Sequence, residues 1–388
     1  MDAVVLGASP TGLYALRELA RAGHAVALAD IADGCAFHSR FVRGSARRFS
    51  GDLGAVERWL DGLAAKAGHR PLLVPTNDVF IEFILQRANR LAEKFVFPDG
   101  YRGLAARLLD KMSFNALCLE HGVATPGVWQ APDRDALAAL APSLPFPCIL
   151  KPALIHRARE FLRGRKVLLV RNRAEYEACL ATMPDGLGKW FVQEIIPGPE
   201  SNITLFAGYI DKCGTAQQTF TARKLRQYPP GFGSASLVTS ERCEETEATT
   251  LRFLDRIGFH GICGAEYKRD PRDGQLKIIE INPRPTLWFQ IAHDAGRRVV
   301  EAAAHDLGQG EAPVERPQEP SVCWRYSIKD LAAARFYRRK GDSFVFPAPD
   351  VSTAARPARC SWPVFAKDDL MPALFEPVGY VRKAWKRL

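Results

Sequence analysis

The apolar pattern of the first thirty residues changes period twice. Residues 2–6 form a short apolar run that ends in a glycine turn, Gly7-Ala8-Ser9-Pro10-Thr11-Gly12, and predict a strand. Leu13, Leu16, Leu19 and Ala20 then recur at helical spacing, predicting a helix to residue 22 that Gly23 stops. Residues 25–30 are a second apolar run. Further on, residues 72–75 read as a strand end, residues 76–78 as a turn and residues 80–92 as a helix. This first lobe is expected to end near Arg107. Asp110 stands where an N-cap is expected, before a helix over residues 111–121 that Gly122 stops.

From Cys148 short strands alternate with turns: residues 148–150, 167–170, 190–194, 203–209 and 217–221. An Arg-rich stretch, residues 153–165, separates the first two and reads as a mobile basic loop. A helix over 245–257 and strands over 261–269 and 276–282 follow. Residues 309–320, rich in Pro and Glu, predict a linker, and an aromatic and basic segment follows it. No internal repeat is seen. Strand, glycine turn, helix and strand resemble the start of a Rossmann-like lobe.

The chain has 388 residues, which predicts two or three packed lobes. Its 47% hydrophobic and 25% charged residues are ordinary for a soluble globular protein. No apolar run is long enough to span a bilayer, and the N-terminus reads as a strand rather than a signal peptide. Nine cysteines are scattered singly without a CxxC, as expected of reduced thiols in a cytoplasmic protein. The net charge of +10 fits an anionic ligand such as a nucleotide. The basic residues are dispersed and lack a nucleic-acid motif, so no nucleic-acid or membrane partner is expected.

The strongest chemical signal lies between Gly264 and Arg284. Asp270-Pro271-Arg272-Asp273-Gly274 marks a hairpin loop. A loop centred on Asp273 sets Glu266 opposite Glu280, and Glu280, Asn282 and Arg284 then share one face. Two facing carboxylates repel unless a cation lies between them. Mg²⁺ suits the set, because it takes hard oxygen ligands from one or two carboxylates and completes its shell with water and phosphate. A solvated surface hairpin is the other reading. The apolar run Ile278-Ile279-Glu280-Ile281 disfavours it, since an unpaired acid there is costly.

Glu266 followed by Glu280-Ile281-Asn282-Pro283-Arg284 resembles the metal-binding signature of ATP-grasp ligases. That resemblance implies an α/β chain of α+β lobes. A Rossmann-like lobe (1–107) would precede a two-lobed ATP-grasp fold (108–192 with a lid, and 193–308 with the Mg-ATP site) and a C-terminal extension (321–388). It implies Glu266, Glu280 and Asn282 as ligands of Mg²⁺ or Mn²⁺. Lys111 and Lys151 would meet ATP phosphates, and the Gln193-Glu194-Ile195-Ile196 hinge would read adenine through its backbone. Glu200 would hold the ribose. Arg223, Lys224 and Arg226 stand where the family supplies a phosphate cation, with no means of choosing among them. Arg284 would stabilise phosphoryl or acyl oxygens, and residues 153–165 would be the lid. Residues 39–41, 226–229 and the tail from Trp324 are similar to a bacterial subgroup that includes D-aspartate ligases.

The implied reaction turns a carboxylate into an acyl phosphate at the expense of ATP and passes it to an amine, such as an amino acid. Dimers are common in this superfamily. Alternatives are a thiol or other non-amine acceptor, a bicarbonate substrate, or an NAD(P)-dependent oxidoreductase on the first lobe. Gly7-x-x-x-x-Gly12 lacks dinucleotide spacing, and Asp30 is the residue that could revive that last reading.

Overall fold

The computed structural model describes residues 1–42, 45–152, 161–162, 167–340, 344–354 and 357–377. Three sheets organise the chain.

The first contains β1 (Ala3–Leu6), β2 (Val26–Asp30), β3 (Ala46–Arg48) and β4 (Leu72–Pro75), ordered β3-β2-β1-β4 and parallel throughout. Helix α1 (Pro10–Arg21) connects β1 to β2 and α2 (Leu53–Ala67) connects β3 to β4, and α3 (Asp78–Ala92) follows β4. Pro10 opens α1, where its missing N–H costs nothing. The turn before it is sterically closed: Gly7 has φ 118°, and a Cβ on Gly12 would stand 1.8 Å from the Gly7 carbonyl oxygen. The sequence predicts β1, β2, β4, α1 and α3. It misses β3, only three residues long, and α2, although Leu53, Val56, Leu60 and Leu63 recur there at helical spacing.

Next come α4 (Leu104–Leu109) and α5 (Lys111–Glu120). Asp110 caps α5 as predicted, accepting the Ser113 N–H at 2.8 Å. The second sheet has order β5-β8-β6-β7, from β5 (Val128–Ala131), β6 (Cys148–Pro152), β7 (Leu168–Val170) and β8 (Trp190–Glu194). Helices α6 (Arg134–Leu140) and α7 (Arg173–Ala181) close a separate core over it.

The third sheet has seven strands, ordered β13-β12-β9-β10-β11-β14-β15. They are β9 (Ile203–Ile210), β10 (Ala216–Tyr228), β11 (Ser234–Ser240), β12 (Gly261–Arg269), β13 (Leu276–Asn282), β14 (Val322–Arg325) and β15 (Arg359–Ser361). Helices α8 (Glu244–Arg256), α9 (Gln290–Asp294), α10 (Val299–Asp306) and α11 (Ser327–Lys340) accompany it. Strand β10 is thirteen residues long, not the five the sequence suggested, so the cationic stretch after Thr221 is strand rather than loop.

The residues after 320 are woven into the body. Strand β14 pairs with β11, and β15 with β14. Buried Arg17 of α1 donates to Asp369 at 2.9 Å, holding the tail on the first lobe. The expected linker is also fastened: Gln318 donates its amide to the Thr221 carbonyl at 2.8 Å. One apolar core runs from α1 and the first sheet to β9, β12 and α10. That core sets the glycine turn of the first lobe against the face of the third sheet that carries the acids.

Candidate functional site

The register of β12 and β13 pairs Glu266 with Glu280, and Gly264 with Asn282, as the hairpin loop predicts. Next to the acids the pairing shifts, and Ile279 is the extra residue of a bulge. Strand β13 is the sheet edge, so Pro283 just beyond it interrupts no inner ladder. Glu266, Glu280, Asn282 and Arg284 all line a cavity of about 770 Å³. Its other walls include Thr11 of α1, Val167 just before β7, Leu169 within β7, Phe232, Trp288 and Phe344.

The acids are balanced by lysines. The Lys224 ammonium contacts Glu266 Oε2, and Lys111 Nζ stands 3.7 Å from Glu280 Oε2. Burial pushes the Glu266 carboxyl up, against the pull of Lys224. Burial also opposes the Glu280 charge. There Lys111, Lys224, the Asn282 amide and Arg284 outweigh it and hold the carboxyl below its usual value. Asn282 Nδ2 donates to Glu280 Oε1 at 3.2 Å, and its Oδ1 accepts from Arg284 Nη2 at 3.2 Å. Arg284 Nε also donates to Asp78 of α3 at 2.7 Å, bridging to the first lobe.

Among the described residues no group of three or more His, Cys, Asp or Glu is placed to hold a metal ion. The protein offers two facing carboxylates and an amide oxygen. That set fits a Mg²⁺ whose shell is completed by phosphate and water. The lysines at hand are the countercharges such an ion would replace.

Strands β6 and β8 carry the other candidate residues, which stand outside the lining of that cavity. Lys151 Nζ donates to Gln193 Oε1 at 2.9 Å. Burial lowers its pKa to about 8, with Lys111 adding and Glu280 opposing. Glu194 is tied twice: Oε2 accepts the Gly127 N–H at 2.9 Å, and Oε1 meets Arg272 of the β12–β13 loop. Ile195 and Ile196 are buried, Ile195 in a small cluster with Ile149 and Phe346.

No family model matches the chain. It is 28% identical over 222 residues to D-aspartate ligase of Enterococcus faecium, covering 55% of this chain and 53% of the relative. The chain spans about half the length of the curated relatives it matches. An ADP complex of N5-carboxyaminoimidazole ribonucleotide synthetase superposes with TM-score 0.61 at 13% identity, over 80% of this chain and 78% of that one. The biotin carboxylase domain of Hydrogenobacter thermophilus 2-oxoglutarate carboxylase gives 0.59 at 16%, over 83% and 73%.

The chain has the ATP-grasp fold.

Within the ATP-grasp lobes, β10 separates the three candidate cations. Leu225 is the extra residue of a bulge, so Lys224 and Arg226, two apart, do not share a face. Lys224 reaches Glu266. Arg226 turns to Asp330 of α11 in a two-pronged pair at 2.7 and 2.8 Å. Arg223 pairs with Glu241 and donates to the Ser201 carbonyl at 3.1 Å. Arg223 and Arg226 are therefore corrected out of the cavity wall. Glu200 is corrected as well. It is 1% exposed, and its oxygens accept the Gln227 N–H at 2.9 Å and the Gly231 N–H at 2.6 Å. It holds the 227–231 turn rather than facing the cleft.

Asp30 accepts the Ala8 N–H at 2.6 Å and the Ala32 N–H at 3.0 Å, so it braces the glycine turn instead of presenting a free edge to a ribose. Of the expected lid, residues 153–160 and 163–165 lie outside the described residues. Among the described residues no helix is long and apolar enough to cross a membrane.

Sequence reasoning passed over Asp78, Phe346 and Lys268. The first two meet the site only through tertiary contacts. Lys268, between Tyr267 and the charged Arg269-Asp270, reads in the sequence as part of the polar hairpin end, and only the fold shows it buried.

Proposed function

We propose that the chain is an ATP-dependent ligase that activates a carboxylate as an acyl phosphate and joins it to an amine, releasing ADP and phosphate. The facing pair Glu266 and Glu280, which lines a cavity reaching three lobes and is balanced by Lys224 and Lys111, carries this reading. The relationship to a D-aspartate ligase supports an amino acid as one substrate.

Glu266, Glu280 and Asn282 would hold Mg²⁺, with Mn²⁺ as the other candidate ion. Bound there, the ion would neutralise charge on the transferring phosphoryl group. Lys111 and Lys151 would position phosphates from the second lobe, and Lys224 would face them from the third sheet. Phosphoryl transfer needs positioning and charge neutralisation more than covalent help. The substrate carboxylate oxygen attacks the γ-phosphorus and ADP leaves. The amine nitrogen then bonds to the acyl carbon, phosphate leaves, and the amine gives up a proton. Arg284, fixed by Asp78, would orient acyl or phosphoryl oxygens. The Glu194–Ile196 backbone would meet the base.

In this reading residues 1–107 hold substrate, 108–192 are the N-lobe with its lid, 193–308 form the C-lobe, and 321–388 are an extension. A homodimer in the cytoplasm is the proposed setting. Nine free cysteines support the reducing compartment.

The test mixes the protein with Mg-ATP, hydroxylamine and pools of carboxylic acids, with hydroxamates and ADP read by mass spectrometry. A hydroxamate that needs Mg-ATP and disappears in Glu280→Gln is the expected result. ATP binding without ADP formation across acids and amines would contradict the ligase reading.

A further inference from the structure

Lys268 lies on the same face of β12 as Glu266, yet nothing in the proposed chemistry uses it. It is 4% exposed. Its Nζ donates to the Ile196 carbonyl at 2.9 Å and the Gly198 carbonyl at 2.8 Å, and stands 4.1 Å from the centre of the Phe346 ring. Burial lowers its pKa to about 7, with Glu200 and Asp270 opposing and Lys224 adding. A buried lysine is costly, and an apolar side chain would fill the space without that cost. What the ammonium adds is two directed hydrogen bonds.

The acceptors explain the need. Ile196 and Gly198 each precede a proline, Pro197 and Pro199. Proline has no N–H, so this turn is poor in donors of its own. The Ile196 carbonyl is buried and the Gly198 carbonyl half-buried, so both gain from an outside donor. Lys268 supplies both bonds from one atom. It thereby fixes the peptide planes of a turn that continues directly from Glu194 and Ile195.

We infer that Lys268 is a positioning residue for nucleotide binding: by tying the Ile196 and Gly198 carbonyls to β12 it holds the backbone edge that meets the base. The inference rests on the ATP reading of the cleft. It concerns a side chain that touches neither phosphate nor metal in that reading.

The test compares wild type, Lys268→Met and Lys268→Gln. ATP binding is read by calorimetry, KM and kcat by ADP release, and backbone exchange over 195–198 by hydrogen–deuterium mass spectrometry. Lys268→Met is expected to weaken ATP binding about tenfold, with faster exchange at 195–198 and kcat within about twofold. Lys268→Gln keeps donors for the carbonyls and is expected to recover part of the loss. If Lys268→Met does not fold, Lys268→Gln carries the comparison with wild type, with a smaller loss of the same kind. Unchanged ATP affinity and exchange in the variant would overturn the inference alone. Equal losses in Met and Gln variants would reduce Lys268 to packing and overturn it too. A wild type that binds no ATP would instead remove the nucleotide reading, and this inference with it.

Discussion

Glu280 and Lys268 are both charges on neighbouring strands of one sheet, and they are balanced in opposite ways. The Glu280 side chain is 38% exposed and faces Lys111, itself 44% exposed. A pair this open contributes little to stability. Its charge is available to an incoming cation, and the lysine to an incoming phosphate. Lys268 is buried and bound to backbone carbonyls that cannot move away. The first arrangement can exchange partners during a reaction cycle, whereas the second can only hold shape. Chemistry is therefore expected to fail at Glu280 and binding at Lys268.

The largest effect expected is from Glu280→Gln, which keeps the shape and removes the charge. Turnover should fall about a thousandfold, measured as ADP release, with the melting temperature nearly unchanged. Normal turnover would place the exchangeable charge elsewhere. Lys224→Met is next. It strips the cation from Glu266, whose side chain is only 15% exposed. Urea denaturation should show a loss of about 3 kcal/mol, because a buried pair has been broken from one side.

A pH profile separates the lysines. Lys151, with its pKa near 8, is mostly charged at pH 7 and loses that charge as pH rises through about 8. KM for ATP should therefore rise about tenfold by one pH unit above that point. Lys151→Arg keeps its charge and should flatten this rise, leaving any residue of it to Lys268. A profile unaltered in Lys151→Arg would remove Lys151 from the phosphate wall. The smallest effect belongs to Arg223→Gln, outside the cavity, where kcat and KM should stay within about twofold.

The acid pair was legible because both residues belong to one local hairpin, but the loop alone does not set their register: Arg269 opposes Leu276 beside the loop, and the bulge at Ile279 brings Glu280 opposite Glu266. The cap at Asp110 was legible for the same local reason. The choice among Arg223, Lys224 and Arg226 was not. It turns on a bulge at Leu225, and no residue type announces one there. Glu200 misled because its partners, the N–H groups of Gln227 and Gly231, come from a distant turn. Phe346 reaches the cluster of Ile149 and Ile195 from beyond the Pro-rich segment, a contact between positions no period connects. Lys268 was hidden because the neighbouring Arg269 and Asp270 make it look like one more solvated charge of the hairpin end.

The central claim is that a carboxylate oxygen attacks ATP, and isotope transfer tests it most directly. The acid identified by hydroxylamine trapping would be labelled with ¹⁸O in its carboxylate and turned over with Mg-ATP and amine. The account predicts one ¹⁸O in each released phosphate, since the bridging oxygen of an acyl phosphate leaves with phosphorus. Phosphate free of label, with both labelled oxygens still on the acid-derived product, would contradict it.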